Sequence, residues 1–186
     1  MASNLLFPET NVNLIITGPP QTGKKSFIQA LTNNSLVIPE SEDDISSVHA
    51  MSFEVHGKSI LVTVWYVRNL EKSIEQIKLI CLDSSSNSVI LFWYAIDAHQ
   101  SLEKLSKDYI TVLRQQGRFH FLSLLVGNKA DMRLDSLRPC LQYQQGETIR
   151  NSFHLGGFIE CSAIIEQSVR KVFIKAVFIA LGLEDD

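Results

Sequence analysis

The stretch Gly18-Pro19-Pro20-Gln21-Thr22-Gly23-Lys24-Lys25 is a phosphate-binding loop with its last position altered. The pattern is G-x-x-x-x-G-K-[ST]. Its backbone N–H groups cradle phosphate, its lysine reaches the outer phosphates, and its final hydroxyl touches Mg²⁺. Both glycines and Lys24 are in place, but the final position is Lys25. Residues 11–17 form a short apolar strand before the loop, and Ser26-Phe27-Ile28-Gln29-Ala30-Leu31 after it has helical spacing. A strand–loop–helix unit of this kind points to an α/β domain that binds an anion at a helix N-terminus.

At 186 residues and 45% apolar content the chain is long enough for one well-buried core, so a single domain is expected over 1–186, with short tails at 1–11 and 183–186. Seventeen Lys plus Arg against twenty Asp plus Glu give a net charge of −3, so no nucleic-acid partner is expected. Cys81, Cys140 and Cys161 form no C-x-x-C pair and read as buried thiols in a reducing, cytoplasmic compartment. The longest apolar run, 89–96, is well short of the ~20 residues a membrane span needs. Ala2 is not the Gly that N-myristoylation requires, and the last residues hold no cysteine, so no direct lipid anchor is expected. His49, His56, His99, His120 and His154 show no H-x-x-x-H spacing, and no metal site is expected of them.

Strand and helix patterns alternate along the chain. Strands are expected at 14–17, 51–55, 59–65, 88–96, 119–126 and 158–161. Helices are expected at 23–33, 70–82, 101–115, 146–153 and 166–181. The helix at 101–115 carries Leu102, Leu105, Tyr109, Val112 and Leu113 at helical intervals. Residues 34–47 are polar and acidic and read as a mobile loop. The order predicts a mostly parallel six-stranded sheet with one antiparallel edge strand and helices on both faces.

Two further motifs fall at strand ends: Gly127-Asn128-Lys129-Ala130-Asp131 after one strand and Cys161-Ser162-Ala163 after another. With the stretches Ser88 to Asp97 and Val169-Arg170-Lys171-Val172-Phe173, they make the chain resemble a Ras-superfamily small GTPase, most closely the Rho family. The resemblance covers nearly the whole chain. The segment 134–143 is shorter than the helical insertion of Rho proteins. The resemblance implies a guanine pocket formed by Asn128, Lys129, Asp131, Ser162 and Ala163. A carboxylate at Asp131 can accept two hydrogen bonds from guanine, a pair that adenine does not offer. The Lys129 stem would lie along the purine face, and the Ala163 N–H would donate to O6. Gly18, Gln21, Thr22, Gly23, Lys24, Lys25 and Ser26 would hold the phosphates.

The metal and catalytic half of the resembled site is replaced. The family places a hydroxyl where Lys25 stands, a Thr where Asp44 stands, and Asp-Thr-Ala-Gly-Gln where this chain has Tyr66-Val67-Arg68-Asn69-Leu70. Ser46 and Ser47 are near enough that a slip of register could restore a hydroxyl. Pro20 removes one backbone donor from the loop. The expected result is a pseudoGTPase with no catalytic residue at the degenerate positions Tyr66, Asn69 and Leu70, and with no Mg²⁺. GDP or GTP would be held with help from Lys24, Lys25 and Arg68, or the pocket would be empty and the fold would act as a binding module. Asp43 and Asp44 would repel a third phosphate. The alternative is an atypical GTPase whose catalytic groups come from a partner. Ile174, Val177, Phe178 and Leu181 recur at intervals of three and four on the last helix. They read as a second apolar stripe facing a protein partner or another copy of the chain.

Overall fold

The structure is a computed structural model that describes residues 10–32, 43–55, 57–116, 120–135 and 137–183. Most of the 34–47 loop, the outer parts of both tails and His56 lie outside the described residues. The strands are β1 (Thr10–Thr17), β2 (Ile45–Val55), β3 (Lys58–Val67), β4 (Ser86–Ala95), β5 (Leu122–Asn128) and β6 (Phe158–Glu160). The helices are α1 (Lys24–Leu31), α2 (Leu70–Leu82), α3 (His99–Lys104), α4 (Thr111–Arg114), α5 (Tyr143–Ser152) and α6 (Glu166–Leu181). A π-helical stretch, Leu105–Ile110, joins α3 to α4, and a short 3-10 turn covers Ala130–Leu134.

The sheet order is β2-β3-β1-β4-β5-β6. β2 and β3 pair antiparallel at one edge, and all other pairs are parallel. Alternation along the central strands divides the core in two. Leu14, Ile16, Leu91 and Trp93 pack on one face beneath α1 and α6. Ile15, Ile90, Phe92 and Tyr94 pack on the other face beneath α2, the α3–α4 helix and α5. A parallel sheet covered on both sides needs strands with near-continuous apolar runs, and β4 has one from Val89 to Ala95, after a polar start at Ser86, Asn87 and Ser88.

β1 and α5 begin earlier than expected, at Thr10 and Tyr143, and β5 covers Leu122–Asn128, with Phe119 outside the described residues. Three further expectations change. The strand expected from 51 begins at Ile45, because Ile45, Ser46 and Ser47 pair with Val67, Tyr66 and Trp65 before a bulge at Ser47/His49. Polar residues at an edge strand hide the strand pattern from the sequence. The helix over 101–115 is widened in its middle: Leu105 and Ile110, five apart, are both fully buried, whereas Tyr109 is only half-buried. A π turn puts residues five apart on one face, and Thr111 Oγ1 donates to the Ser106 carbonyl at 2.7 Å inside it. The proposed outer stripe of α6 does not form as a face. Val177 is 0% exposed within the core beneath the helix, and Leu181 packs against the same core. α6 lies against α1, β1, β4 and β5 together, so more than one side of it is covered. Of the four stripe residues, Ile174 is exposed and Phe178 is half-buried.

Gly146 lies inside α5, where a helix would ordinarily favour Ala. An added Cβ would meet Phe158 Cζ at 2.3 Å and the Tyr94 hydroxyl at 2.7 Å. Overpacking of this kind costs about 1–3 kcal/mol. Gly146→Ala is therefore predicted to lower the denaturant midpoint without changing the m-value. A raised midpoint would contradict this packing.

Candidate nucleotide site

The phosphate loop leaves β1 and crosses the carboxyl end of the sheet, where open α/β sheets bind ligands. Two of its residues must be glycine. Gly18 has φ +147° and a Cβ there would lie 2.1 Å from the Trp93 carbonyl oxygen. Gly23 has φ +87° and a Cβ there would lie 2.2 Å from Asn128 Nδ2. Gln21 is exposed and also left-handed, at φ +61°. Thr22 is buried, and its hydroxyl donates to the Pro19 carbonyl at 2.9 Å. Gly23 then opens α1, whose first exposed N–H groups favour an anion.

Lys24 is buried beneath this loop. Its ammonium donates to the carbonyls of Gly18 at 2.7 Å and Pro19 at 2.5 Å, with Thr22 Oγ1 at 3.4 Å. Burial lowers its pKa from 10.5 to about 8. A phosphate in the loop would compete with these carbonyls for the amine. Lys25 and Ser26 are exposed on the first turn of α1.

The base-side residues converge on the same loop. Asn128 Nδ2 donates to the Thr22 carbonyl at 2.9 Å, and its Oδ1 accepts the Ala163 N–H at 3.1 Å and the Cys161 thiol at 3.5 Å. Burial, with Asp131 and Glu160 nearby, pushes that thiol up to about 12, so it remains a donor. The Ala163 N–H is thus engaged by Asn128. Asp131 is half-exposed, and its Oδ1 accepts the Ser162 hydroxyl at 2.5 Å. Lys129 has φ +66°, and its ammonium pairs with Asp97 Oδ2 at 2.9 Å. The Ala130 N–H donates to the Cys161 carbonyl at 2.9 Å, which joins the two base loops.

Tyr66, Asn69 and Leu70 hold structural positions. Tyr66 and Leu70 are buried in opposite cores. Asn69 caps α2 by accepting the Lys72 N–H at 3.3 Å. Ser46 and Ser47 lie in the β2 ladder opposite Tyr66 and Trp65. Among the described residues no group of three or more His, Cys, Asp or Glu could hold a metal ion. With an exposed lysine, Lys25, in place of the loop hydroxyl, the described residues do not supply the Mg²⁺ ligand that the phosphate loop of this fold class carries.

Two residues of consequence, Trp93 and Asp97, lie outside the expected set, and Arg68, expected to help hold the phosphates, is engaged with the Asp43 and Asp44 carbonyls. Trp93 Nε1 donates to the Thr22 carbonyl at 3.1 Å, so a core indole braces the phosphate loop. A buried indole N–H needs an acceptor, which was the available signal. Asp97 holds Lys129. Arg68 Nη1 donates to the Asp43 carbonyl at 2.7 Å, its guanidinium lies 5.5 Å from the Tyr66 ring centroid, and its N–H donates to the Asp44 carbonyl at 2.7 Å.

A doubly covered, mostly parallel sheet with a Gly-Lys loop and an N-K-x-D loop at its carboxyl end defines a small G domain. The Ras-family sequence profile matches residues 13–180, and the chain belongs to the Ras family. Within that family it is most like Rho proteins. It is 26% identical to the Ras-like GTP-binding protein RhoL of Drosophila melanogaster, over 95% of this chain and 90% of that one. It is 23% identical to the Rho-related protein racI of Dictyostelium discoideum, over 94% and 88% of the two chains. Among the described residues no helix is long and apolar enough to cross a membrane.

The Lys24 amine gives the site a pH signature. An anion favours protonated lysine, so pyrophosphate binding is predicted to weaken as pH rises through about 8. The effect on folding has the opposite sign. Between about 8 and 10.5 the unfolded chain holds the proton that the folded chain has lost, so the Lys24 contribution to stability rises with pH. Titration calorimetry and thermal melts across this window measure both slopes. Lys24→Met should flatten them, and a wild-type affinity that stays level through pH 8 would contradict the placement.

Proposed function

We propose that the protein is a hydrolysis-deficient Rho-like G domain that holds GDP or GTP without Mg²⁺ and works as a protein-binding or scaffold module. The observation that carries this reading is the use made of the segments around the matched catalytic positions. Arg68 and Asn69 N–H groups both donate to the Asp44 carbonyl, at 2.7 and 3.3 Å. Arg68 Nη1 takes the Asp43 carbonyl, and Lys72 lies 3.8 Å from the Asp44 carboxylate. Together with the Ile45–Val67 pairing, these contacts join the start of β2, the end of β3 and the start of α2 into one unit. Tyr66 and Leu70 sit in the core, and Leu70, an alkyl side chain, cannot orient a water as the family glutamine does.

Support for retained nucleotide binding comes from the other half of the site. The loops that carry Lys24, Asn128, Lys129, Asp131 and Ser162 meet at the carboxyl end of the sheet, which supports a phosphate and guanine site, and the relative RhoL is described as GTP-binding. Lys24 would face the phosphates and Asp131 the base. Lys25, at the edge of the loop, adds positive charge near the phosphates.

The test is phosphate release from GTP, measured with Mg²⁺ and with EDTA, together with chromatography of the nucleotide released by denaturing the purified protein. Bound guanine nucleotide with no metal-stimulated release is the expected result. Turnover that depends on Mg²⁺ would overturn the reading. Equal affinity for ATP and GTP would overturn the guanine assignment.

A further inference from the structure

We propose that Asp97 is a positioning residue for purine recognition, acting through Lys129; this rests on the guanine-nucleotide reading above. Asp97 follows β4, where the register places it beside the N-K-x-D loop. Ala95 pairs with Asn128, and the Ile96 N–H donates to the Asn128 carbonyl at 3.0 Å. The Leu141 N–H donates to the Ile96 carbonyl at 2.8 Å, which anchors the backbone on the other side. From this fixed base Asp97 Oδ2 meets the Lys129 ammonium at 2.9 Å.

The pair is partly sheltered, with the two side chains 34% and 19% exposed. Asp97 Oδ1 is buried and receives no hydrogen bond among the described residues. The lysine is therefore the cation that compensates this carboxylate, and moving it away leaves a sheltered charge unpaired. The Lys129 backbone is also fixed. Its φ is +66°, Asn128 before it bonds to two other loops, and the Ala130 N–H after it bonds to Cys161. With both ends of the residue held, the four-carbon stem between them has little freedom. A stem already held in place offers an apolar platform to a purine ring without the entropy cost of ordering it on binding.

A platform acts on the base and leaves the phosphates untouched, and this separates it from a general effect on folding. The experiment measures binding of GDP and of pyrophosphate by titration calorimetry, for the unaltered protein, Asp97→Ala, Asp97→Asn, Lys129→Met and the Asp97→Ala/Lys129→Met pair. Asp97→Ala should weaken GDP by roughly tenfold, the scale of one lost side-chain contact, and leave pyrophosphate unchanged. Asp97→Asn, which keeps an acceptor for the ammonium, should lose less. The double variant should lose little beyond Lys129→Met alone, because both substitutions remove the same platform. The inference is overturned if GDP and pyrophosphate weaken together, if GDP binding is untouched, or if the two losses add. If the unaltered protein takes pyrophosphate but not GDP, the guanine reading falls as well. If it takes GDP and Asp97→Ala leaves that intact, only the role of Asp97 falls. Should Asp97→Ala fail to fold, the GDP-to-pyrophosphate ratio of Asp97→Asn decides.

Discussion

The site depends on one backbone oxygen, the Thr22 carbonyl. It accepts hydrogen bonds from Asn128 Nδ2 at 2.9 Å and from Trp93 Nε1 at 3.1 Å. Through Asn128 the phosphate loop is tied to the base loops after β5 and β6. Through Trp93 it is tied to the centre of the sheet. Two close approaches follow from this arrangement. Gly23 must lack a side chain because Asn128 lies over it, and Gly18 must lack one because the Trp93 carbonyl lies against it. Hydrogen bonds among buried partners are stronger than exposed ones and costly to leave half-made. The arrangement therefore holds the loop in shape with contacts internal to the protein, independent of any metal.

The two halves of the site consequently differ in kind. The half that would face phosphate and base is built from side chains that bond to one another across loops. The half that would face metal and water has been absorbed into the fold. Tyr66 and Leu70 fill the cores, Asn69 caps α2, and Arg68 joins Asp43 and Asp44 to the end of β3. In the Arg68 contact the guanidinium lies over the Tyr66 ring while Nη1 donates to the Asp43 carbonyl, a use suited to a planar, permanently charged group.

What the sequence disclosed depended on how local the signal was. The phosphate loop, the N-K-x-D loop and the limits of α2 and α6 are written in residues adjacent to one another, and the structure places α2 at Leu70–Leu82 and α6 at Glu166–Leu181, as the spacing indicated. The start of β2 was hidden because Ser46 and Ser47 owe their strand conformation to pairing with Tyr66 and Trp65, some twenty residues away. The burial of Ile110 was hidden because the sequence reading assumed an α-helical interval through the π stretch. The outer stripe of α6 was misread because periodicity shows which residues share a side of a helix and not how many sides are covered. Val177 is enclosed by the sheet beneath it. The Asp97–Lys129 and Arg68–Asp43 contacts join residues distant in sequence, and no short pattern announces them.

If the switch cycle is lost, as proposed, the start of β2, the end of β3 and the start of α2, which the Arg68 and Asp44 contacts join, should not register the number of phosphates. Amide hydrogen exchange measures this directly, with GDP and then a non-hydrolysable GTP analogue bound to the unaltered protein and to Arg68→Ala. The account predicts the same protection over residues 43–47 and 66–72 with either nucleotide, and faster exchange there in Arg68→Ala. Protection of those residues that rises with the GTP analogue alone, or that is indifferent to the loss of Arg68, would contradict it.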